Sequence, residues 1–168
     1  RSKYPGRKEG GGGGGGFTLI EILIVVAIIA ILSSVILVGL GPTRRIGRDA
    51  RRISDLRQTQ NGLELYFNKC GYYPGTAQAT SPCGAYSGIS TWSAVTTSLT
   101  GSNIGVVNVP NDPTAGQNYF YGAAGGGVGY VLGARLEDAN NPALADDIDG
   151  TVFGVDCTDA NRVYCLQL

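Results

Sequence analysis

The longest apolar segment of the chain lies near its N-terminal end. Residues 17–40 read FTLIEILIVVAIIAILSSVILVGL, and Glu21 is the only charged residue among them. As a helix, this segment is long enough to cross a hydrocarbon layer about 30 Å thick. A cleaved secretory signal has a shorter apolar core, of about 7 to 15 residues, and ends in a small-residue cleavage site. We therefore predict a transmembrane helix over residues 17–40.

A second periodic pattern covers residues 41–71. Gly41 and Pro42 are expected to interrupt or kink the helix, because proline lacks a backbone donor and crowds the preceding turn. Beyond them, apolar residues recur at steps of three to four, opposite a row of arginines. We predict an amphipathic continuation of the helix that stops at Gly71. The apolar positions are Ile46, Ala50, Ile53, Leu56, Leu63 and Phe67, and the arginines are Arg44, Arg48, Arg51, Arg52 and Arg57.

Residues 72–168 are predicted to form a globular region. A Tyr-Pro-Gly turn at 73–75 leads into a stretch rich in Ser, Thr and Gly. Within that stretch, Trp92 and Leu99 are the expected core anchors of a loop or short helix.

Three short strands are expected in the second half of this region. Aromatic and β-branched residues at 117–122 and 129–136 lie on either side of a glycine-rich link, which predicts a hairpin. A third strand is expected at 164–168. So small a sheet needs a partner face, and the amphipathic helix offers one. The predicted fold class is α+β, a long N-terminal helix packed on a small antiparallel β-sheet.

Composition and charge narrow the function classes. Histidine is absent, which removes the commonest general base and metal ligand and disfavours most hydrolase and zinc mechanisms. The formal net charge is zero, but residues 41–69 carry seven cations against three acids, whereas residues 70–168 carry two against eight. We predict a structural protein and not an enzyme.

Glu21, the acidic residue inside the apolar segment, is expected to have a cationic partner. Inserting the Glu21 carboxylate into a membrane costs about 2.5 to 3.5 kcal/mol on insertion scales. The glycine run at residues 10–16 is expected to be a flexible spacer. Cleavage after Gly16 would create an α-ammonium group at Phe17 that could neutralise Glu21. The alternative is that Glu21 reaches the membrane surface or is protonated.

Residues 16–21, GFTLIE, together with the apolar run that follows, closely resemble the class III leader junction of type IV prepilins. The resemblance implies a leader over residues 1–16, cleaved between Gly16 and Phe17 by a prepilin peptidase that also N-methylates Phe17. It implies that Glu21 pairs with the Phe17 amine of a neighbouring copy. The expected product is a homo-oligomeric helical filament, built by a pilus or secretion assembly platform.

Weaker resemblances extend further along the chain. Residues 56–74 are similar to the end of the helix in major pseudopilins of type II secretion, and residues 111–121 to the start of their hairpin. The first alternative to a pilus subunit is therefore a pseudopilin of a type II secretion or DNA-uptake system. The second is a membrane-tethered extracytoplasmic binding module.

The expected location is a single-pass precursor in the cytoplasmic membrane, with the globular region outside and a cell-surface filament after assembly. The positive-inside rule alone would place that region in the cytoplasm, because Lys and Arg are at least as numerous after the apolar segment as before it. The leader junction and the cysteines favour the extracytoplasmic side.

The four cysteines allow three pairings, and their spacing does not follow that of a zinc ribbon. Pairs Cys70–Cys83 and Cys157–Cys165 would each close a short loop, as suits an extracytoplasmic domain with a modest core. Four free thiols are the alternative. A disulfide that closes the C-terminal region also resembles the type IV pilin pattern.

An acidic segment is a candidate calcium site. Asp146, Asp147 and Asp149, with Asp138 and Asp156, could gather hard oxygen ligands. Major pseudopilins, which the chain resembles, bind calcium in a comparable loop. The segment lacks the twelve-residue calcium-loop pattern, and a solvated acidic loop is the alternative.

The arginines at 44, 45, 48, 51 and 52 form a basic helix surface that could contact nucleic acid. We favour a different reading, in which they meet lipid headgroups next to the membrane span or the acidic surface of neighbouring subunits in a filament.

Overall fold

The computed structural model describes residues 15–75, residue 83 and residues 90–168, without the side chains of residues 35 and 37–40. Most of the predicted leader therefore lies outside the described residues. The chain divides into two compact units, Arg1–Gly41 and Pro42–Leu168. The fold class is the predicted one: a long N-terminal helix is followed by a small antiparallel sheet.

Helix α1 spans Leu19–Cys70 and passes through Pro42. The interruption predicted at Gly41 and Pro42 is therefore absent, and the alternative, a kink at Pro42, stays a prediction. The predicted stop is confirmed. Gly71 has a φ of +80°, and its N–H donates to the carbonyl of Phe67 at 2.7 Å, as at many helix ends.

In the first unit, α1 is apolar and exposed. Phe17, Leu19 and Ile20 have 83%, 78% and 64% of their surface exposed. Within the described residues, no helix is both long enough and apolar enough to cross a membrane. The transmembrane prediction for residues 17–40 is therefore not confirmed.

In the second unit, the predicted short helix is present as α2, Trp92–Gly101, and both expected anchors, Trp92 and Leu99, are buried. The predicted hairpin and last strand form a three-stranded antiparallel sheet in the order β1-β2-β5. A separate two-stranded hairpin, β3-β4, was not predicted, since its strands have only two residues each. The strands are β1 Phe120–Ala123, β2 Tyr130–Arg135, β3 Thr151–Val152, β4 Val155–Asp156 and β5 Val163–Gln167.

The buried face of α1 differs from the predicted one. Leu56, Leu63 and Tyr66 are fully buried and belong to the main hydrophobic core. Ile46 and Ala50, however, are exposed. Their expected places in the buried stripe are taken by charged residues, namely Asp49, Arg52 and Asp55.

Arg52 is the centre of this buried charged group, and its side chain is only 2% exposed. Its guanidinium donates to Asp49 at 2.7 Å, to both carboxylate oxygens of Asp112 at 2.8 and 3.0 Å and to Glu137 at 2.9 Å. It also donates to the hydroxyl of Thr114 at 2.8 Å. Burial alone would lower the pKa of Arg52, but the carboxylate hydrogen bonds raise it overall. A fully paired guanidinium can therefore replace an apolar side chain here.

The carboxylates of this group accept further hydrogen bonds, from backbone N–H groups and from the side chain of Arg48. Asp49 accepts the N–H groups of Glu137 at 2.9 Å and of Asp138 at 2.9 Å. Glu137 accepts hydrogen bonds from Arg48 Nε at 2.7 Å and from Arg48 Nη2 at 2.5 Å. The group thus joins α1 to the loop before β1 and to the residues that follow β2.

We expect Arg52→Leu to lower the free energy of unfolding of the second unit by about 3 to 5 kcal/mol, because Asp49 and Asp112 would be left buried without their cation. Arg52→Lys keeps the charge but not the planar fork, and should have a smaller effect. Trp92, the single tryptophan, is buried in this unit and reports its unfolding by fluorescence in urea. Arg57→Leu, at an exposed position of the same helix, is the control. Equal stability of the Arg52 and Arg57 leucine variants would contradict the expectation.

Acid should weaken the same group. Hydrogen bonds from Arg48 and then Arg52 lower the pKa of Glu137 from 4.5 to about 2. A carboxylate with a depressed pKa in the folded state contributes stability above its unfolded pKa and loses it as the pH falls through its folded pKa. The urea midpoint should therefore fall between pH 4.5 and pH 2, and Glu137→Gln should flatten this part of the profile. An unchanged slope in the variant would refute the assignment.

Candidate functional site

The predicted cleavage site lies in non-helical backbone. Residues 15–18 precede the first turn of α1 and are exposed. A Cβ built on Gly16 would meet no atom within 4 Å, and Phe17 is 83% exposed. The residues on both sides of the Gly16–Phe17 peptide bond are thus exposed.

Glu21 lies in the first turn of α1 and caps the helix together with Thr18. The N–H of Thr18 donates to Glu21 Oε2 at 2.7 Å, and the Thr18 hydroxyl donates to the same oxygen at 2.8 Å. In return, the N–H of Glu21 donates to the Thr18 hydroxyl at 3.3 Å. These reciprocal bonds form a capping box. Thr18 is absent from the predicted site residues, although the spacing T-x-x-E before an apolar run signals this cap.

The cap leaves part of the Glu21 carboxylate available. Both Thr18 donors bind Oε2, and Oε1 accepts no hydrogen bond from the residues described. The capping box thus holds the carboxylate at the helix start while one oxygen stays open to a cation.

The helix beyond Glu21 presents a continuous apolar surface. Each large aliphatic side chain described between Ile22 and Ile36 exposes half of its surface or more. Soluble monomers rarely expose apolar patches of this extent. This surface requires a covering of lipid or of other protein.

The cysteines form the two pairs favoured from their spacing. Cys70, at the end of α1, is bonded to Cys83, with a Cα–Cα distance of 5.6 Å. Cys157 is bonded to Cys165 of β5 at 5.7 Å, and no cysteine is free. The second bond ties the chain after β4 to the last strand. It therefore closes the C-terminal region covalently.

The predicted calcium ligands are spread over one loop. Asp146 and Asp149 are exposed. Asp147 accepts the N–H of Cys165 at 2.6 Å through Oδ2, whereas its Oδ1 is buried without a hydrogen bond. Burial raises the pKa of Asp147 to about 6. The described residues include no group of three or more His, Cys, Asp or Glu arranged to hold a metal ion, and calcium stays a prediction.

Asp138 and Asp156, the other two predicted ligands, bind neighbouring backbone and side chains instead. Asp138 accepts the N–H of Asn140 at 3.0 Å. Asp156 accepts the N–H of Thr158 at 3.1 Å and the side-chain amide of Asn161 at 2.6 Å. Both carboxylates thus stabilise local turns.

The basic surface of α1 is smaller than predicted. Arg44, Arg45 and Arg51 are exposed, but Arg48 and Arg52 bind carboxylates of their own chain. Ion pairs with distant carboxylates thus occupy two of the five arginines, and contact of the others with lipid headgroups or neighbouring subunits stays a prediction.

One family model matches the chain. It describes the prokaryotic N-terminal methylation motif and covers residues 15–37, which include the predicted cleavage bond, Glu21 and most of the apolar run. No curated protein and no solved structure matches the chain. The N-terminal segment therefore carries the prokaryotic N-terminal methylation motif and is similar to the class III prepilin-like leader junction of type IV pilins and pseudopilins.

Proposed function

We propose that the chain is a structural subunit of a type IV pilus or a related filament. It is made as a membrane-anchored prepilin, cleaved after Gly16 by a prepilin peptidase, N-methylated on Phe17 and assembled through its N-terminal helix. The observation that carries this proposal is the position of Glu21, which lies within the methylation motif and at the start of an exposed apolar helix surface.

The geometry at the helix start supports a role for charge in assembly. Cleavage converts the amide nitrogen of Phe17 into an ammonium group, four residues before Glu21. When apolar helices pack together, their charges lose water, and the attraction between opposite charges becomes stronger. A neighbour's ammonium can bind Oε1 of Glu21 without breaking the capping box. Such a buried pair fixes the register of one helix against the next.

The rest of the chain supports an extracytoplasmic location for the globular region. Two disulfides are typical of oxidising compartments. The exposed apolar surface of the first unit is suited to lipid before assembly and to neighbouring helices afterwards.

A pseudopilin of a secretion or DNA-uptake system is the second candidate. The resemblance of residues 56–74 to major pseudopilins favours it, and this segment includes the last turns of α1 and the start of the Cys70–Cys83 loop. Deletion of the gene separates the candidates. Loss of surface pili with normal protein secretion favours a pilin, and retained pili with lost secretion or DNA uptake favours a pseudopilin.

The mature chain should begin at Phe17 and carry one N-terminal methyl group. Mass spectrometry of the N-terminal peptide from cells measures both. Gly16→Leu should abolish cleavage because a bulky side chain replaces hydrogen at the scissile position, whereas Gly15→Ala, one residue away, should be cleaved. A mature chain that keeps the glycine run, or that starts beyond Glu21, would contradict the proposal.

Two substitutions separate the charge of Glu21 from its capping role. Glu21→Gln keeps an acceptor for Thr18 and therefore the cap, but it removes the negative charge, whereas Glu21→Ala removes both. If the charge directs assembly, both variants should lower filament yield at least tenfold while membrane-bound subunit stays equal or rises.

The measurement compares sheared surface fractions with membrane fractions at equal expression. Ser34→Ala, an exposed polar position on the same helix, is the control and should assemble normally. Normal filaments from Glu21→Gln, with loss in Glu21→Ala, would assign Glu21 to the cap alone. Normal filaments from both would leave only apolar helix packing to explain assembly.

A further inference from the structure

The second unit contains a pocket lined by arginines from three parts of the chain. Its volume is about 640 Å³, within the range of small-molecule sites. Arg135 and Arg162 are the only cations beyond residue 70, and both line this pocket. The helix α1 contributes three more arginines, at 45, 48 and 52. The fold thus gathers at one place cations that are far apart in the sequence.

Some of these arginines are already committed to partners. Arg52 and Arg48 bind Glu137 and other carboxylates, and Arg162 donates to the carbonyl of Glu137 at 3.1 Å. Arg45 and Arg135 are different. Within the described part of the chain, neither side chain makes a hydrogen bond or a salt bridge, and both are exposed at the pocket wall. The charge of Arg135 also acts on Asp156, which is not among the residues that line the pocket.

Positive charge exceeds negative charge in the pocket. Glu137 is the one carboxylate among the lining residues, against five guanidinium groups. Asp49 and Asp112 lie behind Arg52 and bind it, and even when both are counted, two positive charges remain. A pocket with this excess favours an anion of two charges.

We propose that this pocket binds a phosphate group with two negative charges. Guanidinium groups present planar pairs of donors that match phosphate oxygens, and they bind phosphate from several sides. The other polar residues on the wall suit the same ligand, because the Thr114 hydroxyl keeps its own proton to donate and Gln117 carries an amide. The volume leaves room for a group esterified to the phosphate.

Two sources could supply this group. One is a free phosphate or a soluble phosphate monoester. The other is a lipid headgroup that ends in a phosphate monoester, since Arg45 lies five residues beyond the end of the predicted membrane segment. Both carry the same chemistry, and the experiment separates them.

The first test uses the full chain in uncharged detergent. Inorganic phosphate is titrated at constant ionic strength, with chloride as the balancing anion, while the melting temperature is followed through Trp92. A ligand that binds only the folded state raises this temperature in a saturable manner. Arg135→Gln and Arg45→Gln should each weaken phosphate binding about tenfold, because each removes one charged donor. Neither variant removes a partner from the buried group around Arg52.

The matched control is Arg57→Gln, an exposed arginine of α1 outside the pocket, which should bind phosphate like the wild type. The proposal is overturned if phosphate acts no differently from chloride, or if Arg57→Gln and Arg135→Gln lose affinity equally. Self-association that Arg135→Gln abolishes, without saturable phosphate binding, would also overturn it and assign the pocket to a carboxylate of a second copy.

The second test identifies the source. The full chain is placed in nanodiscs of phosphatidylcholine, with or without phosphatidic acid. If phosphatidic acid abolishes the effect of added inorganic phosphate in the wild type, the lipid headgroup occupies the pocket. If the effect persists, the ligand is a soluble phosphate. The unassembled chain is used throughout, so failure of phosphate binding is distinguishable from failure of filament assembly.

Discussion

The second unit depends on one buried cation. Arg52 lies in α1, and its partners Asp112 and Glu137 are 60 and 85 residues away in the sequence. Through them the guanidinium connects the helix to both sides of the β1-β2 hairpin. Asp49 extends the connection to the backbone after β2. Apolar contacts alone have little directional preference, whereas these ion pairs require particular partners at particular angles. We infer that the cluster favours one docking of the sheet on the helix, because a sheet shifted along the helix would leave these buried charges unpaired.

Local signals predicted most of the architecture. The hairpin, the last strand and the helix stop each arise from a few adjacent residues, and the leader junction is a contiguous motif. The buried face of α1 was predicted poorly because periodicity assigns Arg52 and Asp49 to the polar side, and only distant carboxylates and backbone N–H groups make their burial favourable. The hairpin of β3 and β4 has too few residues to show a period. The pocket arginines at 135 and 162 have no common motif, since folding alone brings them to α1.

The part of α1 in the first unit differs from the part in the second unit in which of its side chains are buried. From Leu19 to Ile36 the surface is apolar and exposed, and its stability depends on what covers it. From Asp49 onward one face of the helix is buried against its own chain and carries charged groups that are paired internally. The Thr18–Glu21 capping box secures the N-terminal end, and Gly71 ends the helix where the first disulfide begins. One element thus combines an exposed apolar surface with a scaffold for its own domain.

The hydrogen bond from Cys165 to Asp147 uses a backbone donor at the edge of β5 that faces away from β2. β5 pairs with β2 on one side only, and the N–H of Cys165 points away from β2, toward the Asp147 carboxylate. An edge strand with unpaired N–H groups can pair with a strand of another molecule, which leads to aggregation. The Asp147 carboxylate accepts one of these N–H groups. The Cys157–Cys165 disulfide ties the same strand to the chain after β4. The carboxylate thereby removes one donor that the edge of β5 could offer to a strand of another molecule.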